Sequence, residues 1–138
     1  RRVVAYDRLG FGRSDRLRER PSTDFVREEA TEILPALREQ LDLPGFVALG
    51  HSVGGAMAVH GAAEAGAACE ALVTVAAQAF VEARTLDGLR AAQAQFQDPA
   101  QRERLARHHG ERADWVLDAW LGRWLDPAYA GWSLTDGA

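Results

Sequence analysis

The sequence predicts an α/β fold in which helices flank a parallel β-sheet. Three short apolar segments, Val3 to Tyr6, Phe46 to Leu49 and Ala71 to Ala76, have the composition of β-strands, and helical segments separate them. Alternating strands and helices form right-handed βαβ units, whose strands run parallel within one sheet. The chain has 138 residues, of which 47% are hydrophobic and 26% charged, and this composition suits one soluble domain.

The first half of the chain supplies the first of these strands and a long helix. The strand at Val3 to Tyr6 leads into a glycine-punctuated loop over residues 7–15. A helix is predicted from N-cap candidates at residues 22–24 to about Leu41, with a kink at Pro35 because proline lacks a backbone donor. Its apolar residues recur on one helical face: Val26, Ala30, Ile33, Leu34, Leu37 and Leu41.

The middle of the chain carries the second and third strands, and the rest is predicted to be helical. Phe46 to Leu49 is expected to be buried on both faces, as strands of helix-covered parallel sheets are. A tight turn over residues 50–55 precedes a helix to Glu64. Three helices follow Phe80, over residues 86–96, 99–109 and 113–125. We therefore expect a sheet-bearing segment over residues 1–80 and a helical insertion or lid over residues 81–138.

Composition and charge argue against several classes of protein. Sixteen arginines against twenty acidic residues give a net charge of −4, whereas nucleic-acid-binding proteins usually have a basic excess. No apolar run approaches the roughly 18 residues of a membrane-spanning helix. The single cysteine, Cys69, excludes an internal disulfide and a cysteine-rich zinc site. A lone free thiol favours a reducing cytosol, so we predict a cytoplasmic protein with no nucleic-acid or membrane partner.

Both ends of the sequence look like interruptions of a longer fold. The chain opens directly in strand-forming residues, without an initiator Met or a signal peptide. It finishes in turn-like residues, from Ser133 to Ala138, with no closing helix or strand. We therefore expect this chain to be a piece of a longer protein.

The strongest chemical signal is the segment Gly50-His51-Ser52-Val53-Gly54, a G-x-S-x-G motif between an apolar strand and a small-residue helix. A nucleophile on a sharp strand-to-helix turn has strained backbone angles, so the residues two positions away are expected to need small side chains. Ser52 is the candidate nucleophile, and the Val53 amide is the candidate oxyanion donor. The competing interpretation is an ordinary turn with an incidental serine.

Three stretches resemble the α/β-hydrolase fold superfamily. Residues 3–15 are similar to its fourth strand and D-x-x-G-x-G-x-S loop, and residues 47–55 to its fifth strand and nucleophile elbow. Residues 72–82 resemble its sixth strand and the entry to a helical cap. The resemblance implies a partial α/β-hydrolase core with a helical cap. A dinucleotide-binding interpretation of the first loop is weak, because Asp15 replaces the third glycine.

The resemblance also implies the chemistry of a serine hydrolase. Ser52 would form an acyl-enzyme with an ester, or with a substrate whose C–C bond adjoins a carbonyl, and water would release the acyl group. The expected partner is a small apolar carbonyl substrate, and neither a metal nor an organic cofactor is implied. A serine at this place argues against the branches of the superfamily that carry aspartate there.

The family's other catalytic groups fall outside this sequence. Its oxyanion loop would precede Arg1, and its usual acid and base would follow Ala138, so this chain alone is expected to be incomplete and inactive. Local substitutes are weak candidates: His51 and His60 are interpreted as packing residues, His108-His109 as a solvated helix end, and Glu82 as the nearest carboxylate after the third strand. The alternative function is a non-catalytic hydrolase-like fragment or binding domain.

Two groups of residues in the helical segment are candidates for substrate contacts. Helical spacing relates Leu117, Trp120, Leu121 and Trp124, which favours packing in a core but leaves a pocket lining open. The charged residues are interpreted as a solvated face: Arg102, Glu103, Arg104, Arg107 and Glu111.

Overall fold

A computed structural model describes residues 2–135 and divides them into two compact units. The sheet unit comprises Ser22–Val81 and the described residues from Gly131 onward, and the helical unit comprises the described residues up to Pro21 and Glu82–Ala130. The chain passes from the sheet unit to the helical unit between Val81 and Glu82, and the described residues before Ser22 group with the later helices.

The elements of the sheet unit follow the predicted order. Its helices are α1 (Phe25–Glu28), α2 (Leu34–Gln40) and α3 (Val53–Ala65), with a π-helical turn at Glu29–Ile33 and a 3₁₀ turn at Gly66–Ala68. Its strands are β1 (Phe46–His51) and β2 (Cys69–Val75). The strands pair in parallel, with Val47 beside Ala71 and His51 beside Val75. Helix α3 packs against both strands, which confirms the predicted parallel βαβ arrangement.

Burial of β1 on both faces was predicted, and this is wrong. Exposure alternates along the strand: Ala48 and Gly50 are buried, whereas Val47 is 57% and Leu49 72% exposed. The reason is that helix α1 and the π-helical turn at Glu29–Ile33 pack on α3 rather than on the other face of the sheet. Among the described residues, the sheet is therefore covered on the α3 side only.

Pro35 alters the first helix in the way its chemistry requires. A proline ring clashes with the carbonyl four residues earlier, here that of Thr31, and removes one helical donor. The chain is π-helical over Glu29–Ile33 and returns to α-helix with Pro35 in the first turn of α2. A missing N–H costs little in a first turn, so the wider turn accommodates the proline.

The helical unit contains α4 (Ala83–Gln95), α5 (Pro99–His109) and α6 (Ala113–Leu117), with 3₁₀ turns at Gly110–Arg112 and Pro127–Tyr129 and a π-helical turn at Asp118–Gly122. The three predicted helices are therefore present. The predicted strand at Val3 to Tyr6 is wrong, since these residues form no regular structure and Val3 is 92% exposed. A strand needs a hydrogen-bonded neighbour, and no described strand pairs with this segment.

Side chains from α6, from the π-helical turn at Asp118–Gly122 and from the residues just after it lie in the core of the helical unit. Leu117, Leu121 and Trp124 are buried, in agreement with the packing interpretation. Trp120 is 40% exposed and contacts the Phe96 ring edge-on, with centroids 6.4 Å apart. The face interpreted as solvated is exposed at all five of its charged residues: Arg102, Glu103, Arg104, Arg107 and Glu111.

Candidate active site

Ser52 lies at the junction between β1 and α3, in a conformation that few residues other than glycine adopt. Its φ of 54° and ψ of −124° break the strand and begin the helix within one residue. Such backbone angles cost roughly 1–3 kcal/mol and persist only where the surroundings enforce them. The expected sharp strand-to-helix turn is therefore present at the serine of the G-x-S-x-G motif.

The requirement for a small residue before the serine has a clear structural cause. A Cβ atom at Gly50 would overlap the carbonyl oxygen of Gly54 and lie 2.7 Å from the amide nitrogen of Gly55. Both are backbone atoms of the first turn of α3, which cannot rotate away as a side chain would. Gly50 thus allows the helix to fold back directly over the end of the strand.

The sequence also predicts that a small residue is required at Gly54, two positions after the serine, and this prediction is wrong. Apart from its chain neighbours and the backbone of its own helix, a Cβ atom at Gly54 would meet no described atom within 4 Å. A Cβ atom at Gly55 would lie 2.6 Å from the Cβ and 2.9 Å from the Cα of Ala77. The crowding comes from the residues after β2 rather than from the bend itself, so the second glycine of the Gly54-Gly55 pair is the constrained one.

We predict that Gly54→Ala leaves the fold intact and raises the free energy of unfolding by as much as about 1 kcal/mol. Alanine has a higher helix propensity than glycine, and the added methyl group has room. Urea denaturation compared with the wild type measures the change. A loss of more than about 1 kcal/mol would show that Gly54 is constrained after all.

The last residue of β2 and the residues that follow it bind the backbone of Ser52. The Ser52 N–H donates to the carbonyl of Val75 at 3.0 Å, and the Gln78 N–H donates to the carbonyl of Ser52 at 3.0 Å. Between them, Ala76 also has a positive φ, of 46°. Sequence reasoning missed this group, because Ala76 and Ala77 are distant along the chain from the Gly54-Gly55 pair.

Two features of the elbow suit nucleophilic chemistry. Val53 is the first residue of α3, so its N–H has no intrahelical acceptor and is available to a developing negative charge. Ser52 is half-buried, and its hydroxyl makes no hydrogen bond within residues 2–135. The structure thus brings Ser52 and Val53 together at one helix N-terminus, and their catalytic roles remain predictions.

The other candidates for a catalytic base or acid are divided between the two units. His51 is the exposed last residue of β1, and His60 is half-buried within α3. Glu82 is exposed and is the N-cap of α4, in the helical unit. Neither His51 nor His60 makes a side-chain hydrogen bond to Ser52 in the described part of the chain.

His109 does not lie at a solvated helix end, which corrects the prediction for this histidine. It is half-buried, and its Nδ1 accepts a hydrogen bond from the Gly12 N–H at 3.0 Å. Arg112 binds the same loop, donating to the carbonyls of Gly10, Gly12 and Ser14. The loop over residues 7–15 is therefore fastened to the end of α5, which agrees with its structural interpretation.

Titration of His109 is expected to make stability fall with acidification. Burial lowers the pKa of His109 from 6.5, and the positive charges of His108 and Arg112 lower it further, whereas Asp7 opposes them. The folded state therefore favours the neutral ring, which alone can accept the Gly12 N–H. Stabilisation from this ring is complete above pH 6.5 and is lost as the pH falls through the lowered pKa.

We predict that the free energy of unfolding falls more steeply between pH 7 and pH 5 in the wild type than in His109→Asn. Asparagine keeps an acceptor oxygen near the Nδ1 position but does not titrate in this range. Denaturation midpoints at several pH values measure the difference between the two proteins. Parallel pH profiles would show that His109 does not fasten the loop.

The described residues contain neither a metal-binding cluster nor a membrane-spanning helix. Within residues 2–135, no group of three or more histidine, cysteine or acidic side chains is placed to hold a metal ion. Over the same residues, no helix combines the length and the apolar character needed to cross a membrane.

Comparison with known proteins agrees with the geometry of the elbow. The family described as alpha/beta hydrolase fold matches residues 1–131. A segment of 54 residues is 48% identical to a non-heme chloroperoxidase of Streptomyces lividans, and the match covers 39% of this chain and 18% of that protein. The parallel strands flanked by helices form part of such a fold, and the chain belongs to the α/β-hydrolase family.

Proposed function

We propose that Ser52 is the nucleophile of a serine hydrolase that acts through an acyl-enzyme. The observation that carries the proposal is the positive φ of Ser52 between a parallel strand and a helix N-terminus. A strained serine at this junction presents its hydroxyl at the carboxyl end of the sheet, where substrates of open α/β folds bind. Because the relative is matched over only 18% of its length, the activity is proposed for the complete polypeptide that carries these residues.

The residues of this chain have two roles in the proposed reaction. The Ser52 hydroxyl attacks the substrate carbonyl, and the Val53 N–H donates to the oxyanion that forms. A histidine, held by a carboxylate, accepts the hydroxyl proton and returns it to the leaving group. Water then attacks the acyl-enzyme and frees Ser52. We propose that the histidine, its carboxylate and the second oxyanion donor come from residues outside these 138.

The proposed substrates are small apolar molecules with an ester group or with a C–C bond next to a carbonyl. Family membership supports a carbonyl substrate, because it is the group that a serine nucleophile attacks to form an acyl-enzyme. The helical unit as a cap and the cytoplasm as the location remain predictions.

A burst experiment on the complete protein tests the acyl-enzyme. With p-nitrophenyl acetate and butyrate, we expect an initial burst of one p-nitrophenol per protein, followed by slower turnover. Ser22→Ala should retain the burst, because Ser22 hydrogen-bonds Glu28 and is not part of the elbow. Hydrolysis without any acylation of the protein would contradict a serine nucleophile.

Haloperoxidation is a second candidate, favoured by the name of the Streptomyces lividans relative. Hydrogen peroxide is a nucleophile like water, and its attack on an acyl-enzyme formed from a carboxylic acid would release a peracid and free Ser52. The peracid would oxidise chloride to hypochlorous acid and return to the carboxylic acid. The candidate predicts chlorination of an organic acceptor by the complete protein that requires peroxide, chloride and a carboxylic acid. Loss of chlorination in Ser52→Ala would show that chlorination depends on the Ser52 hydroxyl. Chlorination that survives in this variant would show that it does not use the proposed nucleophile.

The alternative without catalysis is tested on the 138 residues themselves. An unactivated serine does not react with a fluorophosphonate, so we expect no labelling of this chain alone and labelling of the complete protein. Labelling of the chain alone would show that its own residues activate Ser52. An unlabelled complete protein would instead favour a binding domain built on the hydrolase fold.

A further inference from the structure

The turn that begins at the last residue of β2, residues 75–78, satisfies both backbone polar groups of Ser52. The carbonyl of Val75 accepts from the Ser52 N–H, and the N–H of Gln78 donates to the Ser52 carbonyl, each at 3.0 Å. One short segment therefore binds the strained residue from both sides of its α-carbon. We call residues 75–78 the post-β2 turn.

The conformations of Ser52 and of the post-β2 turn depend on each other. Ser52 has a φ of 54°, and Ala76, at the centre of the two contacts, has a φ of 46°. Positive φ disfavours residues with a β-carbon, so each requires compensating contacts. The bend at Ala76 allows the chain to pass Val75 and return to Ser52 at Gln78. Loss of either hydrogen bond would release part of the constraint on Ser52.

Packing sets the distance between the post-β2 turn and the first turn of α3. Ala77 lies so close to Gly55 that a Cβ atom at Gly55 would be 2.6 Å from the Cβ of Ala77. The Gly55 N–H also donates to the Ser52 carbonyl at 2.9 Å, so this carbonyl joins the helix to the turn. A methyl group at Gly55 must separate the two segments that hold Ser52.

We propose that the post-β2 turn is the positioning element of the Ser52 hydroxyl, an inference that rests on the function proposed above. The turn touches neither substrate nor reacting atoms in this proposal. It acts by holding the backbone of Ser52, and therefore the direction of its side chain. Disturbing it should slow the chemical step, while substrate binding is unchanged.

The test compares two glycine-to-alanine variants of α3 in the complete protein. For Gly55→Ala we expect the acylation rate constant to fall about 100-fold with substrate affinity unchanged, since a displacement of about 1 Å at a reacting group has effects of this size. Both quantities come from single turnovers with protein in excess over p-nitrophenyl acetate, because deacylation does not enter them. Gly61→Ala is the matched control in the same helix, where the added methyl meets only the flexible end of Leu34. Its acylation rate constant should stay within about twofold of the wild type. A denaturation curve is measured for each variant.

A compensating change separates positioning from general damage. Gly55→Ala combined with Ala77→Gly removes the contact at 2.6 Å and leaves the one at 2.9 Å with the Cα of residue 77, so we expect the acylation rate constant to recover in part, about tenfold relative to Gly55→Ala. If Gly55→Ala does not fold, Ala77→Gly alone takes its place and should lower the acylation rate constant without weakening substrate binding. Weaker substrate binding at an unchanged acylation rate constant in these variants would overturn the proposal, as would an equal fall of this rate constant in Gly61→Ala.

The proposed function and the positioning role can fail separately. If Ser52→Ala keeps its turnover, the nucleophile assignment fails, whatever the glycine variants show. If Ser52→Ala is inactive but Gly55→Ala behaves like Gly61→Ala, only the role of the post-β2 turn is overturned. An inactive Ser52→Ala together with a selective loss of the acylation rate constant in Gly55→Ala supports both.

Discussion

Replacing Ser52 with alanine is expected to lower turnover of the complete protein by at least about 10⁴-fold while the protein still folds. The hydroxyl is the atom proposed to form the acyl bond, and removing it leaves only binding and oxyanion stabilisation. Alanine keeps the β-carbon, so the backbone strain at this residue is unchanged. The hydroxyl makes no hydrogen bond in the described part of the chain, so its loss should cost little stability.

Two measurements on Ser52→Ala make this prediction decisive. Its kcat for p-nitrophenyl esters is compared with that of the wild type and of Ser22→Ala, whose lost hydroxyl lies outside the elbow. Its urea denaturation midpoint shows whether the fold is retained. Turnover within about tenfold of the wild type would contradict the nucleophile assignment.

Replacing Gly50 with alanine is expected to have the largest effect on stability, a loss of about 3 kcal/mol or more. The added methyl would overlap the Gly54 carbonyl and crowd the Gly55 nitrogen. Both atoms belong to the helix backbone, so relief requires the first turn of α3 to move away from β1. That movement would also disturb the hydrogen bonds that hold Ser52.

Comparison with Gly54→Ala gives Gly50→Ala an internal control. Both variants add one methyl group within two residues of Ser52, but only the one at Gly50 meets backbone atoms. Urea denaturation should therefore show a large loss for Gly50→Ala and none for Gly54→Ala. Equal midpoints for the two variants would mean that the bend does not require glycine before the serine.

Local patterns explain why much of the fold was predictable. Helix α5 begins at Pro99, after the N-cap Asp98, and ends before Gly110, whose φ is 59°. Proline at a first turn and glycine after a last turn are boundary signals that a single sequence carries. The elbow was predictable for the same reason, because its constraint at Gly50 arises within five residues.

The missed features depend on residues that are distant along the chain. Strand formation at Val3 to Tyr6 requires a hydrogen-bonding neighbour, and apolar composition does not reveal whether one is present. The hydrogen bond between His109 and Gly12 joins residues 97 positions apart. The constraint on Gly55, in α3, comes from Ala77, in the segment that follows β2. Such through-space contacts leave no periodic signal in one sequence.

Mass-spectrometric mapping of a fluorophosphonate adduct on the complete protein tests the central claim most directly. The account predicts one phosphonyl group, attached to Ser52, and none in protein denatured before the reagent is added. Hydrolysis should disappear in proportion to this modification. Stoichiometric inactivation with the phosphonyl group on any other residue would contradict the account.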